Sequence, residues 1–261
     1  MKKLIIYTLL CLIPFYAHAL SDSALDARAR RLSAQQATSK EQVVATLTQG
    51  LKTDKDKARV LAAWIAYQVD RNGYEYDKLI QASNDNKPAD YPLPNDIFKT
   101  RVGTPQEFAR LFAELGALAG LEVAVIDGYA GRNIPSSRYS GKAMRALEPT
   151  INKIRGANYR LQRYESSWNA VKINGKWELL DPYWMVQGER MFGRGESTKS
   201  FANELKKRAQ KTPSSSSLSR GKNIDDDYFL AKPRDFIKTH FPYEDKWQLL
   251  PIPKTWSGFT N

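Results

Sequence analysis

Over 261 residues the chain carries 40 Lys and Arg against 28 Asp and Glu, a net charge of +12, with two histidines and one cysteine. That is enough chain for one sizeable domain with extensions, and a lone cysteine excludes an internal disulfide. The cysteine and one histidine, Cys11 and His18, both fall within the first 19 residues.

Those residues, MKKLIIYTLLCLIPFYAHA, read as an export signal: two lysines, an apolar stretch over 4–17, and Ala17-His18-Ala19 as an A-x-A cleavage site. Pro14 interrupts the apolar run, which also falls short of the ~20 residues a membrane span wants. Leu10 is too large for the small residue expected ahead of a lipoprotein Cys11. The expectation is a periplasmic or secreted protein, cleaved near Ala19, with no membrane span afterwards. Processing takes away two lysines, leaving +10, and the only thiol. A Cys/His zinc cluster is then excluded, and neither a metal nor a cofactor is expected. In an exported protein the positive charge points to a peptide-like or anionic envelope partner rather than nucleic acid, although it also simply keeps a surface soluble.

Residues 20–52 are expected to be an N-terminal helical segment. An Ala/Arg-rich amphipathic stretch covers 20–31, and Ser39-x-x-Gln42 opens a second helix with Val43, Val44, Leu47 and Leu51 as its apolar stripe. The core, 53–186, starts with Thr53-x-x-Asp56 and a helix whose buried face is Val60, Leu61, Trp64, Ile65 and Val69, stopped by Gly73. NDNKPADYPLPND, 84–96, is a loop. RVGTPQEFARLFAEL, 101–115, opens a further helix with a capping box from Thr104 to Glu107, and Pro105 sits at the first helical position, where a missing N–H costs nothing. Phe108, Leu111, Phe112 and Leu115 form its core face, and it ends near Gly120.

LEVAVIDGYA, 121–130, is a strand by its alternation and β-branched content. Residues 131–163 read as an irregular basic insertion with one helical candidate at 141–154. SSWNAVKINGKWELLDPYW, 166–184, is a hairpin turning at Asn174-Gly175. Its register places Trp168 opposite Asp181 and Ser166 opposite Tyr183, so these four share a face. Residues 187–227 are expected to be a basic, Ser-rich mobile loop, and 228–261 an aromatic C-terminal extension packed on the core.

The motif order is similar to that of the transglutaminase-like superfamily, in its kyphoscoliosis-peptidase branch. The residues that carry the resemblance are Gly103-Thr104-Pro105, Asp127-Gly128-Tyr129-Ala130, the run from Ser166 to Trp177, Asp181-Pro182-Tyr183-Trp184 and the closing FIKTHFPYEDKWQLL. The resemblance implies an α+β, papain-like fold in which N-terminal helices pack on an antiparallel sheet. It also implies a Cys-His-Asp triad whose positions fall here on Pro105, Ser166 and Asp181. A thiolate at a helix N-terminus, a histidine base and an orienting aspartate are what acyl transfer by this route requires. Two of the three are replaced, and a processed chain has no cysteine to recruit from elsewhere.

Asp181 then reads either as a relic orienter or as a turn-forming Asp-Pro. Trp168, Asp181, Tyr183 and Trp184 are the candidate ligand contacts of the vestigial groove, with core packing the competing role for the aromatics. A serine hydrolase built on Ser166 and Asp181 lacks a base within the motif, and His240 in THFP reads as structural. The sequence thus predicts an exported pseudoenzyme that binds or scaffolds in the cell envelope. The alternative is a peptidase or acyl-transfer enzyme using non-family residues.

Overall fold

Side chains that accept the first free N–H groups set the helix starts. Ser21, Ser39, Thr53 and Thr104 each cap one, at α1 (Asp22–Arg31), α2 (Lys40–Thr48), α3 (Asp54–Gln68) and α5 (Pro105–Leu118). The computed structural model describes residues 20–33, 36–74, 96–132, 164–187, 197–211, 213, 218 and 222–260. The expected export signal, most of the 84–96 loop and the helical candidate at 141–154 lie outside them.

After α3 come β1 (Asp70–Arg71), α4 (Ile97–Thr100) and β2 (Val102–Gly103), with β1 and β2 paired in parallel. The helix expected to run to Gly73 therefore stops five residues earlier. Val69 is already extended at φ −122°, and the next N–H, that of Asp70, is taken by the Arg101 carbonyl at 2.8 Å. α5 ends in a Schellman motif: Gly120 turns left-handed at φ +78°, while the N–H groups of Gly120 and Leu121 return to Ala117 and Gly116.

Four antiparallel strands then form the sheet, β3 (Val123–Ala130), β4 (Glu165–Ile173), β5 (Lys176–Leu180) and β8 (His240–Pro242), in the order β5-β4-β3-β8. Asn174 and Gly175, at φ 50° and 79°, make the primed turn that this pair of residues favours, and Ile173 opposes Lys176 as expected. Between β5 and β8 lie β6 (Val186–Gln187), α6 (Thr198–Gln210), β7 (Asn223–Ile224) and the short α7 (Pro233–Phe236). α8 (Trp256–Thr260) closes the described chain. The architecture is α+β, with the N-terminal helices on an antiparallel sheet.

One apolar core runs through the segments that the sequence divides. Leu25 of α1, Leu47 of α2, Trp64 of α3, Phe112 of α5, Trp168 of β4 and Phe236 of α7 belong to the same buried cluster. α3 is buried nearly all round rather than on one stripe, because α1, α2, α5 and the sheet surround it. Arg59 fastens this arrangement, bonding Asp26 of α1 at 2.8 and 2.7 Å and Asp226 at 2.6 Å. Burial alone would depress its guanidinium, and the two carboxylates outweigh that and hold it above its ordinary value.

The basic stretch expected to be a mobile loop contains α6, and that is a correction. Phe201 and Leu205 are buried, Phe201 stacks on Tyr74 at 4.6 Å, and Arg208 reaches Asp70 at 2.9 Å. An apolar pair four residues apart is enough to dock one face of a helix whose other residues are mostly charged or polar.

Gly128 is the tightest point of the sheet. A methyl group there would overlap the Phe241 carbonyl and stand 2.5 Å from Trp168 Cη2. Gly128→Ala is expected to cost about 1–3 kcal/mol by overpacking, read as a fall in urea midpoint. An unchanged midpoint would show that the sheet relaxes around it.

Candidate functional site

The start of α5 is held against β4 from two directions. Asn169 Nδ2 donates to the Ala109 carbonyl of α5 at 3.0 Å and to Ala124 of β3 at 3.3 Å, and Gln106 Nε2 reaches the Glu165 carbonyl at 3.4 Å. The capping box is complete, with the Thr104 N–H donating to Glu107 Oε2 at 2.8 Å and the Glu107 N–H to Thr104 Oγ1 at 3.4 Å. Pro105, expected from the motif order at the position of the family nucleophile, occupies the first turn of a well-capped helix beside the start of β4. It offers neither a thiol nor an N–H.

Ser166, expected from the motif order at the position of the family histidine, is buried, and its Oγ has no hydrogen-bond partner among the described residues. It pairs with Gly128 across β3, and Trp168 pairs with Ile126. The expected pairing of Ser166 with Tyr183 does not form. The ladder between β4 and β5 ends at Asn169 with Leu180, and Asp181 turns away, its N–H bonded to the Tyr228 carbonyl at 3.0 Å. Pro182 has no N–H to continue a ladder, and the Asp181 side chain captures the next two, those of Tyr183 at 2.8 Å and Trp184 at 3.1 Å.

The second oxygen of Asp181 has a partner that motif spacing does not supply. His240 Nε2 lies 3.1 Å from Asp181 Oδ2, with both side chains almost wholly buried. His240 comes from β8, the far edge strand. Opposed to Ala130, it lies on the same side of the sheet as Gly128 and Ser166. Its ring stacks on Phe236 at 4.0 Å and meets the edges or faces of Trp168 and Trp184, each at 5.0 Å. Its other nitrogen, Nδ1, is 2.7 Å from Thr239 Oγ1. Asp181 is therefore both things considered for it, a turn-forming Asp-Pro and the orienter of an imidazole, but the imidazole is not the one the motif specifies. The readable signal is that a buried carboxylate needs a partner and that, beyond the first 19 residues, the sequence holds one histidine to provide it.

The candidate ligand contacts divide. Trp168 is buried among His240, Phe236 and Ile126, and Tyr183 is buried edge-on to Phe108 at 5.1 Å. Both are core residues. Trp184 alone among the aromatics is partly exposed, packed on His240 and Tyr228.

Residues 41–182 match the profile of the Transglutaminase-like superfamily. The chain is 30% identical over 215 residues to Hillarin of Drosophila melanogaster, covering 80% of this chain and 20% of that protein. It is 26% identical over 225 residues to the Kyphoscoliosis peptidase of Homo sapiens (85% and 26%), and 27% identical over 232 residues to the Lim and transglutaminase domain protein ltd-1 of Caenorhabditis elegans (88% and 26%). It thus spans about a quarter or less of the length of these relatives.

Removing the Asp181 carboxylate strands an imidazole and two backbone N–H groups inside the core. Asp181→Ala is expected to lose about 3–5 kcal/mol of folding free energy, measured by urea denaturation. A loss under about 1 kcal/mol, the net worth of one ordinary hydrogen bond, would show that the contact carries no such weight. Trp168→Ala is expected to cost a similar amount, about 3–5 kcal/mol, as a core truncation.

Proposed function

Because the chain belongs to the transglutaminase-like superfamily yet carries Pro105 and Ser166 at the positions of two triad members, we propose that the cysteine-dependent acyl transfer of the family is lost here. The protein acts as an exported binding or scaffolding module of the cell envelope. The observation that carries this reading is the engagement of Asp181. One oxygen accepts two backbone N–H groups and the other faces His240, so the carboxylate is turned to the turn and to β8 rather than to a base beside α5. Pro105 stabilises the helix start and supplies no nucleophile, and Ser166 is too short to stand in for an imidazole.

The partner this reading favours is peptide-like or anionic. The excess of cations supports it, as do the mostly exposed lysines of α6, whose apolar face is already used against Tyr74 and Val102. Trp184 is the aromatic that remains for a groove ligand. Export rests on the leader sequence, and chain recovered from the envelope is expected to begin at Leu20 on N-terminal sequencing.

A second reading, an acyl-transfer enzyme built on non-family residues, is favoured by one specific observation. The carboxylate has acquired an imidazole after all, and that imidazole touches a hydroxyl.

Two measurements on the purified chain test the leading reading. With a glutamine-containing peptide and a primary amine, neither amide cleavage nor transamidation is expected above the buffer rate; turnover abolished by Ser166→Ala would overturn it. With an oligoglutamate peptide, saturable binding is expected that weakens as salt rises, because the attraction is between exposed charges. Binding indifferent to salt and to Trp184→Ala would remove both proposed contact surfaces.

A further inference from the structure

An ionised carboxylate only accepts, so the Asp181 contact assigns the Nε2 proton of His240 as its donor. In the neutral ring Nδ1 is then an acceptor, and the group on it is the Thr239 hydroxyl at 2.7 Å. The order is hydroxyl, imidazole, carboxylate, with the hydroxyl proton already directed at the base. The Phe236 carbonyl, at 3.3 Å from the same oxygen, is the longer alternative acceptor. Phe236, Trp168 and Trp184 wall off the ring, so water does not compete for Nδ1.

Unlike the ring, Thr239 is only partly buried. It lines a cleft of about 500 Å³ together with Tyr228, Phe236, Arg132 and Lys232. The cleft thus reaches the relay at its hydroxyl end, without passing the start of α5.

We propose that Thr239 is a nucleophile, with His240 as its base and Asp181 as the positioning residue, and that it hydrolyses small carboxylic esters entering this cleft. The proposal rests on the second reading above and leaves the loss of the cysteine reaction untouched. The Oγ1–acyl carbon bond forms as the hydroxyl proton passes to Nδ1. The ester C–O bond then breaks, and the alcohol leaves with that proton. Water attacks the threonyl ester, giving its proton to Nδ1; the carboxylic acid departs and Oγ1 regains a proton. Ester and water become acid and alcohol, with no oxidant or reductant.

Esters are preferred over amides because the local N–H groups are spent. Those of Lys238 and Thr239 bond to the Asp235 and Phe236 carbonyls, so an oxyanion would find no pair of fixed amides, only a lining in which Arg132, Lys232 and Lys238 are interspersed with Asp226, Asp227 and Asp235. Weaker stabilisation of that kind suffices only where the leaving group is good.

The full chain is incubated with p-nitrophenyl butyrate, nitrophenolate release is followed, and acylated peptides are mapped by mass. Release above the buffer rate and a butyryl group on Thr239 are expected. Thr239→Val should lower the rate about 100-fold or more and abolish the adduct, and Thr239→Ser should restore most of both. Wild-type rates in a folded Thr239→Val would overturn the assignment; if that activity is instead lost on Ser166→Ala, an enzyme remains but its nucleophile is not Thr239. No release above buffer would overturn the assignment and the second reading together. Should Thr239→Val fail to fold, the adduct position in the wild-type chain decides, with a label at Thr239 in support and a label elsewhere against.

Discussion

A carboxylate taken wholly out of water must be matched at its oxygens, or its desolvation is ruinous. In this protein Asp181 is matched by three donors from two places: two N–H groups from the turn that follows it and the ring of a histidine on the opposite edge of the sheet. The turn geometry, the departure of the chain from β5 and the seating of β8 all converge on that one group. The aromatic enclosure of Trp168, Trp184, Phe236 and Tyr228 is then the wall that keeps the contact dry.

The same contact separates two parts of the inherited site. At the start of α5 the scaffold is intact, with its cap, its dipole and its bonds to β4 and β3, and in the proposed reading Pro105 stands there in place of a nucleophile. At Asp181 the chemistry of an orienter persists, redirected to an imidazole that opens toward Thr239 and a different cleft. Asp181 is fixed by folding, through the turn that follows it and through His240, so its presence is by itself weak evidence for family activity.

Local chemistry made much of the fold legible. Caps at Ser39, Thr53 and Thr104, the left-handed Gly120, the Asn174-Gly175 turn and the apolar face of α5 are all decided within a few residues, and they appear where their side chains place them. The motif order also pointed to the α+β family fold. What stayed hidden depends on partners far along the chain. α3 stops at Gln68 because Arg101, thirty-one residues after Asp70, supplies the acceptor for a strand instead. α6 is ordered because Phe201 finds Tyr74, which a count of lysines and serines conceals. The register past Leu180 fails because one side chain outcompetes a ladder, and His240 joins Asp181 across fifty-nine residues. For Trp168 and Tyr183 the motif leaves groove contact and core packing both open, and they are core because what covers them comes from elsewhere.

The claim beneath this account is the protonation and partnership of a single ring, and a long-range proton–nitrogen spectrum of the His240 imidazole tests it most directly. A ring protonated at Nε2 is expected, with a ring proton that exchanges slowly with water and whose resonance moves when Asp181 is replaced by Asn. A ring protonated at Nδ1 alone, or one exchanging freely and blind to that replacement, would contradict it.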